Sequence, residues 1–209
     1  MGRIAVYLLI FWMLEVFLVG AFVQESWFKA RIQTETDTAV AWLGGDTVKA
    51  VYRAADRIFE STFVETGIYD TSYELFIPSD AERRRSRGME NMGKEIFEAV
   101  DKRLEVMWMA VYQVVVRVLM LFLWVPYFLI VLIPAVVDGY MIREIKKTNY
   151  GFSSPAIHRY SIYLMGLVTY GIVLTLFSPV NVNPVVYPAA IMIIVTSIHF
   201  IVSNTQKRI

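Results

Sequence analysis

The sequence predicts an all-α membrane protein with four transmembrane helices and a helical polar domain between the first and the second. Three observations carry this. Twenty consecutive residues, Val118 to Val137, hold no charge. Three more apolar runs lie at 4–23, 160–177 and 185–203. The 209 residues are 56% hydrophobic and 19% charged, with mean hydropathy +0.50, which is too apolar for an ordinary soluble domain. A twenty-residue helix is about 30 Å long, the thickness of a bilayer's hydrocarbon core. Cysteine is absent, which excludes disulfides, thiolate catalysis and cysteine-ligated metals. A formal net charge of +1 provides no global attraction to nucleic acid, so no direct nucleic-acid binding is expected.

The first run, IAVYLLIFWMLEVFLVGAFV at 4–23, follows Arg3 and lacks a small-residue cleavage pattern, so it reads as an uncleaved transmembrane helix rather than a signal peptide. Glu15 interrupts it near the middle. An acid at mid-span costs about 2.5–3.5 kcal/mol on insertion scales. Glu15 must therefore be protonated, meet a partner, contact another subunit or line a proton path. Arg117, near the outer end of the second span, is the nearby membrane cation of this chain, and its long side chain can reach inward.

Residues 24–106 form the extended polar region, with sixteen acidic and twelve basic residues. Gly44-Gly45 followed by Asp46 reads as a break and an N-cap. Val48, Val51, Ala55, Ile58, Phe59 and Phe63 then share a helical face. Residues 67–78 read as a turn or loop, and ERRRSR at 82–87 as a solvated basic turn. Ile96, Phe97, Val100, Leu104 and Met107 share another face, with no break before the apolar run that follows. One long helix is expected to enter the second span, 111–137. Pro126 and Pro134 lie inside that span, so a bend is expected there, supported by neighbouring helices.

The loop 138–159 begins with Asp138-Gly139, read as the membrane exit, and a short separate helix ending at Asn149–Gly151 is expected in it. Arg143, Lys146 and Lys147 sit where anionic lipid heads attract cations. The third span, 160–177, contains Gly166 and Gly171, which permit close helix approach. The uncharged turn SPVNVNP leads to the fourth span, 185–203, and the two are expected to form a tight hairpin. His199, in the fourth span, is expected to make an interhelical hydrogen bond. Lys and Arg cluster in the loop 138–159 and at both termini, which predicts cytoplasmic termini and a periplasmic polar domain. There is no Ser-His-Asp arrangement, HExxH or phosphate-cradling glycine loop. No enzymatic activity, cofactor or metal is therefore expected.

The loop residues also carry a resemblance. Pro134, Asp138, Gly139, Arg143, Gly151, Ser153, Ser154, His158 and Tyr160 stand in a pattern that resembles inner-membrane proteins of integrating conjugative elements and conjugative plasmids, grouped as domain of unknown function family 4400. The resemblance implies a non-catalytic inner-membrane component of a type IV secretion apparatus. It also implies membrane-protein partners: a TraD-type coupling ATPase, which the chain would hold as a scaffold, or other conjugation subunits. Asp138, Arg143, Lys146, Lys147, His158 and Arg159 then become the candidate docking loop, and Glu15, Arg117 and His199 the candidate intramembrane polar contacts. A homo-oligomer is compatible with this reading. The alternative, a channel or transporter accessory subunit, needs several polar groups converging inside the bundle.

Overall fold

The computed structural model describes residues 23–77, 94–149 and 151–205, together with Ile10, Met13 and Leu14. Glu15 and most of the first apolar run lie outside the described residues, as do ERRRSR at 82–87, Arg3, Lys207 and Arg208. Ile10, Met13 and Leu14 are helical and more than half exposed.

Every regular element among the described residues is helical: α1 (Glu25–Leu43), α2 (Gly45–Phe59), a π-helical turn (Glu60–Val64), α3 (Ile68–Phe76), α4 (Lys94–Leu123), α5 (Val125–Thr148), α6 (Pro155–Phe177) and α7 (Val186–Ser203). Four of them contain segments long and apolar enough to cross a membrane: Phe97–Leu123, Val125–Thr148, Pro155–Phe177 and Val186–Ser203. The chain divides into two compact units. One comprises 1–119 and 177–181, the other 120–176 and 182–209.

In the first unit α1 and α4 run in the same direction. Val23 meets Arg103, whose Nη1 donates to the Val23 carbonyl at 2.7 Å. Lys29 meets Glu105 at 3.1 Å, and Phe28 packs on Val106 and Ala110. Each large apolar group buried here contributes about 1.5–3 kcal/mol. α2 returns antiparallel. Its buried face is Val48, Val51 and Ala55, as its periodicity predicts, whereas Ile58 is 41% exposed. Asp46 falls in the first turn of α2 rather than at its N-cap. Gly44 occupies the cap with φ of +83° and no side-chain cap bond, a conformation glycine adopts without a Cβ penalty.

The expected loop at 67–78 is instead α3. Gly67 (φ +75°) stops the preceding π turn in the left-handed region, and the aromatic rings then make helix worthwhile. Tyr69 stacks on Trp108 at 5.1 Å and on Tyr73 at 5.0 Å, and the Trp108 Nε1 donates to Ser72 Oγ at 3.0 Å. Those contacts are tertiary and invisible to local turn signals. The long helix expected from the Leu104 periodicity is present: α4 is unbroken over thirty residues.

The apolar run 111–137, expected as one span, is carried by two helices. α4 ends at Leu123, and Trp124 donates its amide to Leu121 at 3.1 Å, three residues back; helical bonding resumes with the Phe128 amide on the Trp124 carbonyl. Pro126 has no amide hydrogen to give Phe122, and its ring crowds that turn. At the start of α5 the same proline is harmless. The expected bend therefore falls at Pro126, while Pro134 stays inside α5.

In the second unit α5 packs along α7, and Gly139 is buried where they touch. A Cβ there would lie 2.9 Å from the His199 carbonyl oxygen and 3.3 Å from Val202 Cβ. Gly139 is thus a contact point inside a continuous helix, and the separate short helix expected before Gly151 is the last part of α5. The close-approach role expected of Gly166 and Gly171 is not theirs among the described residues, since nothing there lies within 4 Å of a Cβ built at either. Ser154 caps α6, its Oγ accepting from the Ile157 amide at 3.3 Å, with Pro155 as the first helical residue.

Candidate functional site

The first polar site is built on Arg117, at the point where α4 loses its charges. Its Nε donates to Glu35 Oε1 at 2.8 Å and its Nη2 to Glu35 Oε2 at 2.6 Å. Such a two-pronged fork is specific to arginine and carboxylate. Two further bonds reach the turn after α6: Nη1 to the Ser178 carbonyl at 2.5 Å and Nη2 to the Val180 carbonyl at 2.8 Å. The side chains of Arg117 and Glu35 are 5% and 12% exposed. Next along α1, Thr36 shares a 2.6 Å hydroxyl bond with Tyr52. Burial pushes the Tyr52 hydroxyl above its ordinary range, although the Thr36 bond opposes this. One turn before Arg117, Gln113 is 4% exposed and neither its Nε2 nor its Oε1 has a partner. Sequence reasoning singled out neither Glu35 nor Gln113. Glu35 stands in a region of mixed charges, and only the meeting of α1 with α4 sets it apart.

The second site is the loop 138–159 and the end of α7. Lys146 Nζ donates to the Ser203 carbonyl and to Asn204 Oδ1, both at 3.1 Å. Asn204 Oδ1 also accepts the Ser154 amide at 3.2 Å. His158 Nδ1 lies 3.1 Å from the Ile201 carbonyl oxygen. His199 Nδ1 sits 3.2 Å from the Ala135 carbonyl oxygen and 3.4 Å from Asp138 Oδ2, so it joins α7 to α5. Asp138 is 66% exposed. Lys147 pairs with Glu144 at 2.5 Å on an exposed surface, and Arg159 is exposed. Arg143 Nε and Ser153 Oγ are buried without partners.

The six residues of the candidate docking loop therefore divide. Lys146 and His158 face inward and tie the loop to α7, Arg143 has its Nε buried, and Asp138, Lys147 and Arg159 are exposed, Asp138 with one oxygen near His199. Arg117 meets Glu35, and His199 meets α5; Glu15 lies outside the described residues. No group of three or more His, Asp or Glu suited to a metal occurs among the described residues.

Among the described residues every regular element is helical and four helices are long and apolar enough to cross a membrane, the make-up of a multi-pass membrane protein. Within that class the chain belongs to the DtrJ-like family, described as IncC plasmid conjugative DNA transfer protein DtrJ-like, whose family model matches residues 21–207. The family is one of conjugative transfer, as the loop residues implied, under a different description from the family they resemble. No curated protein and no solved structure matches the chain.

Proposed function

We propose that the chain is a non-catalytic inner-membrane component of a conjugative DNA-transfer apparatus, acting as a scaffold for a TraD-type coupling ATPase or for other subunits of the type IV secretion channel. Both termini and the loop 138–159 are cytoplasmic in this reading, and residues 24–106 are periplasmic. Family membership supports the process. The observation that carries the docking role is the internal tie of the loop. Lys146 and Asn204 hold it against the end of α7, so its outward charges are already ordered when a partner arrives. A preordered surface loses little entropy on binding, which favours protein docking over mere attraction of lipid.

The test compares Arg143→Lys and Asp138→Asn, together with the outward charge reversal Lys147→Glu with Arg159→Glu, in cells carrying the transfer system. Membrane insertion is checked for each. Reduced transfer and loss of a co-purifying coupling ATPase are expected. Normal transfer with unchanged co-purification in all three variants would remove the docking role from this loop. A stoichiometrically bound nucleotide or metal in the purified protein would overturn the non-catalytic reading.

A further inference from the structure

We propose that the tip of the α1–α2 hairpin, residues 38–45, inserts into the lipid headgroup region of the leaflet on its side of the membrane, with Trp42 as its anchor. The inference rests on the membrane-spanning reading of the apolar helices and adds to it a surface that the hydropathy of the chain does not mark.

The argument is one of register. Later residues of α1 and the residue leading into it meet later residues of α4: Val23 with Arg103, Lys29 with Glu105, Glu35 with Arg117. α2 runs the other way. Asp56 accepts from the Tyr112 hydroxyl at 2.6 Å, and Phe59 stacks on Trp108 at 5.8 Å, edge to face. The turn between α1 and α2 therefore lies past Arg117, in the direction in which α4 becomes charge-free at Val118. Trp42 is seven residues beyond Glu35, roughly 10 Å along the helix axis. That advance matches the depth of roughly 5–10 Å to which interfacial helices embed their apolar side.

The chemistry of the tip agrees with its place. TAVAWLGG, residues 38–45, carries no charge and lies between Asp37 and Asp46. Ala39 is buried, but Val40 is 42% and Trp42 63% exposed. Two residues apart on a helix, Val40 and Trp42 point to different sides, so the tip is apolar on more than one side. Tryptophan in particular favours the membrane–water boundary, where its ring is buried and its N–H stays wet. The covering partner is lipid because α4 is charge-free from Val118 to its end at Leu123, six residues past Arg117 and so about level with the tip. Gly44, at φ +83°, reverses the chain within one residue and keeps the tip narrow.

The protein has no cysteine, so a single introduced thiol can carry a nitroxide without background. Ala41→Cys, Leu167→Cys and Asp70→Cys are labelled in the full chain, reconstituted into phosphatidylglycerol–phosphatidylethanolamine vesicles. Accessibility to oxygen and to a nickel chelate is then read by electron paramagnetic resonance. Leu167, 68% exposed on α6, should report lipid, and Asp70 on α3 should report water. The label at Ala41 should favour oxygen over nickel severalfold more than the label at Asp70. An aqueous reading at Ala41 with a lipid reading at Leu167 would overturn the insertion and leave the membrane reading standing. An aqueous reading at Leu167 would overturn both. In parallel, brominated lipid should quench the tryptophan fluorescence of the unsubstituted chain more than that of Trp42→Phe; equal quenching would count against the anchor.

Discussion

Arg117 and Glu35, 82 positions apart in sequence, meet through two parallel hydrogen bonds of 2.8 and 2.6 Å, and the same guanidinium holds two carbonyls of the turn after α6. Removing Glu35 takes a two-pronged carboxylate partner away from a buried guanidinium. Glu35→Ala should therefore destabilise the protein by about 3–5 kcal/mol. Replacing both residues with apolar ones of similar size, Glu35→Leu with Arg117→Met, should recover part of that loss. Thermal unfolding in detergent measures both. Equal stability of Glu35→Ala and the unsubstituted protein would show that the pair is idle.

Gly139 and Gly166 look alike in sequence and should behave differently. A methyl at 139 meets the His199 carbonyl at 2.9 Å, so Gly139→Ala should cost about 1–3 kcal/mol through overpacking of α5 on α7. Gly166→Ala meets open space among the described residues. It should be neutral or stabilise the helix by up to about 1 kcal/mol. Melting temperatures in the same detergent compare them directly.

Lys146 and Lys147 are neighbours with opposite tasks. Lys146→Met removes the bonds to the Ser203 carbonyl and Asn204 Oδ1 and should loosen the hold of Asn204 on the Ser154 amide, seen as faster hydrogen exchange at 151–154. Lys147→Met removes one exposed pair with Glu144, which is worth about 0–1 kcal/mol, and should leave exchange there unchanged. The reverse pattern would relocate the tie.

Sidedness can be read by labelling. The turn at 178–181 belongs with the polar unit through Arg117. In the proposed orientation Asn183→Cys and Asp70→Cys should react with an impermeant maleimide from the same side of sealed vesicles, and Lys147→Cys from the other. Labelling of Asn183 and Asp70 from opposite sides would refute the orientation.

Trp108 is the hub of the aromatic cluster that makes 68–76 helical. Trp108→Phe keeps most of the ring but loses the bond to Ser72, a loss of about 1 kcal/mol. Trp108→Ala should cost about 3–5 kcal/mol and reduce helicity by circular dichroism. Unchanged helicity in Trp108→Ala would mean that α3 forms without its tertiary contacts.

The sequence by itself determined the helical class, the apolar segments and the continuity of α4 through Leu104. These are legible because hydrophobic run length and helical period are properties of neighbouring residues. Pro126 likewise announced a bend, though not that it, rather than Pro134, would end a helix. Tertiary structure decided the rest. Glu35 became a partner of Arg117, residues 68–76 became helix, among the described residues Gly139 rather than Gly166 or Gly171 became the close contact, and Lys146 turned inward while Lys147 stayed in solvent. Each depends on which faces of distant helices meet. A charge, a glycine or a lysine has the same local signature whether it is buried against a partner or left in water, and its energy is set by that partner.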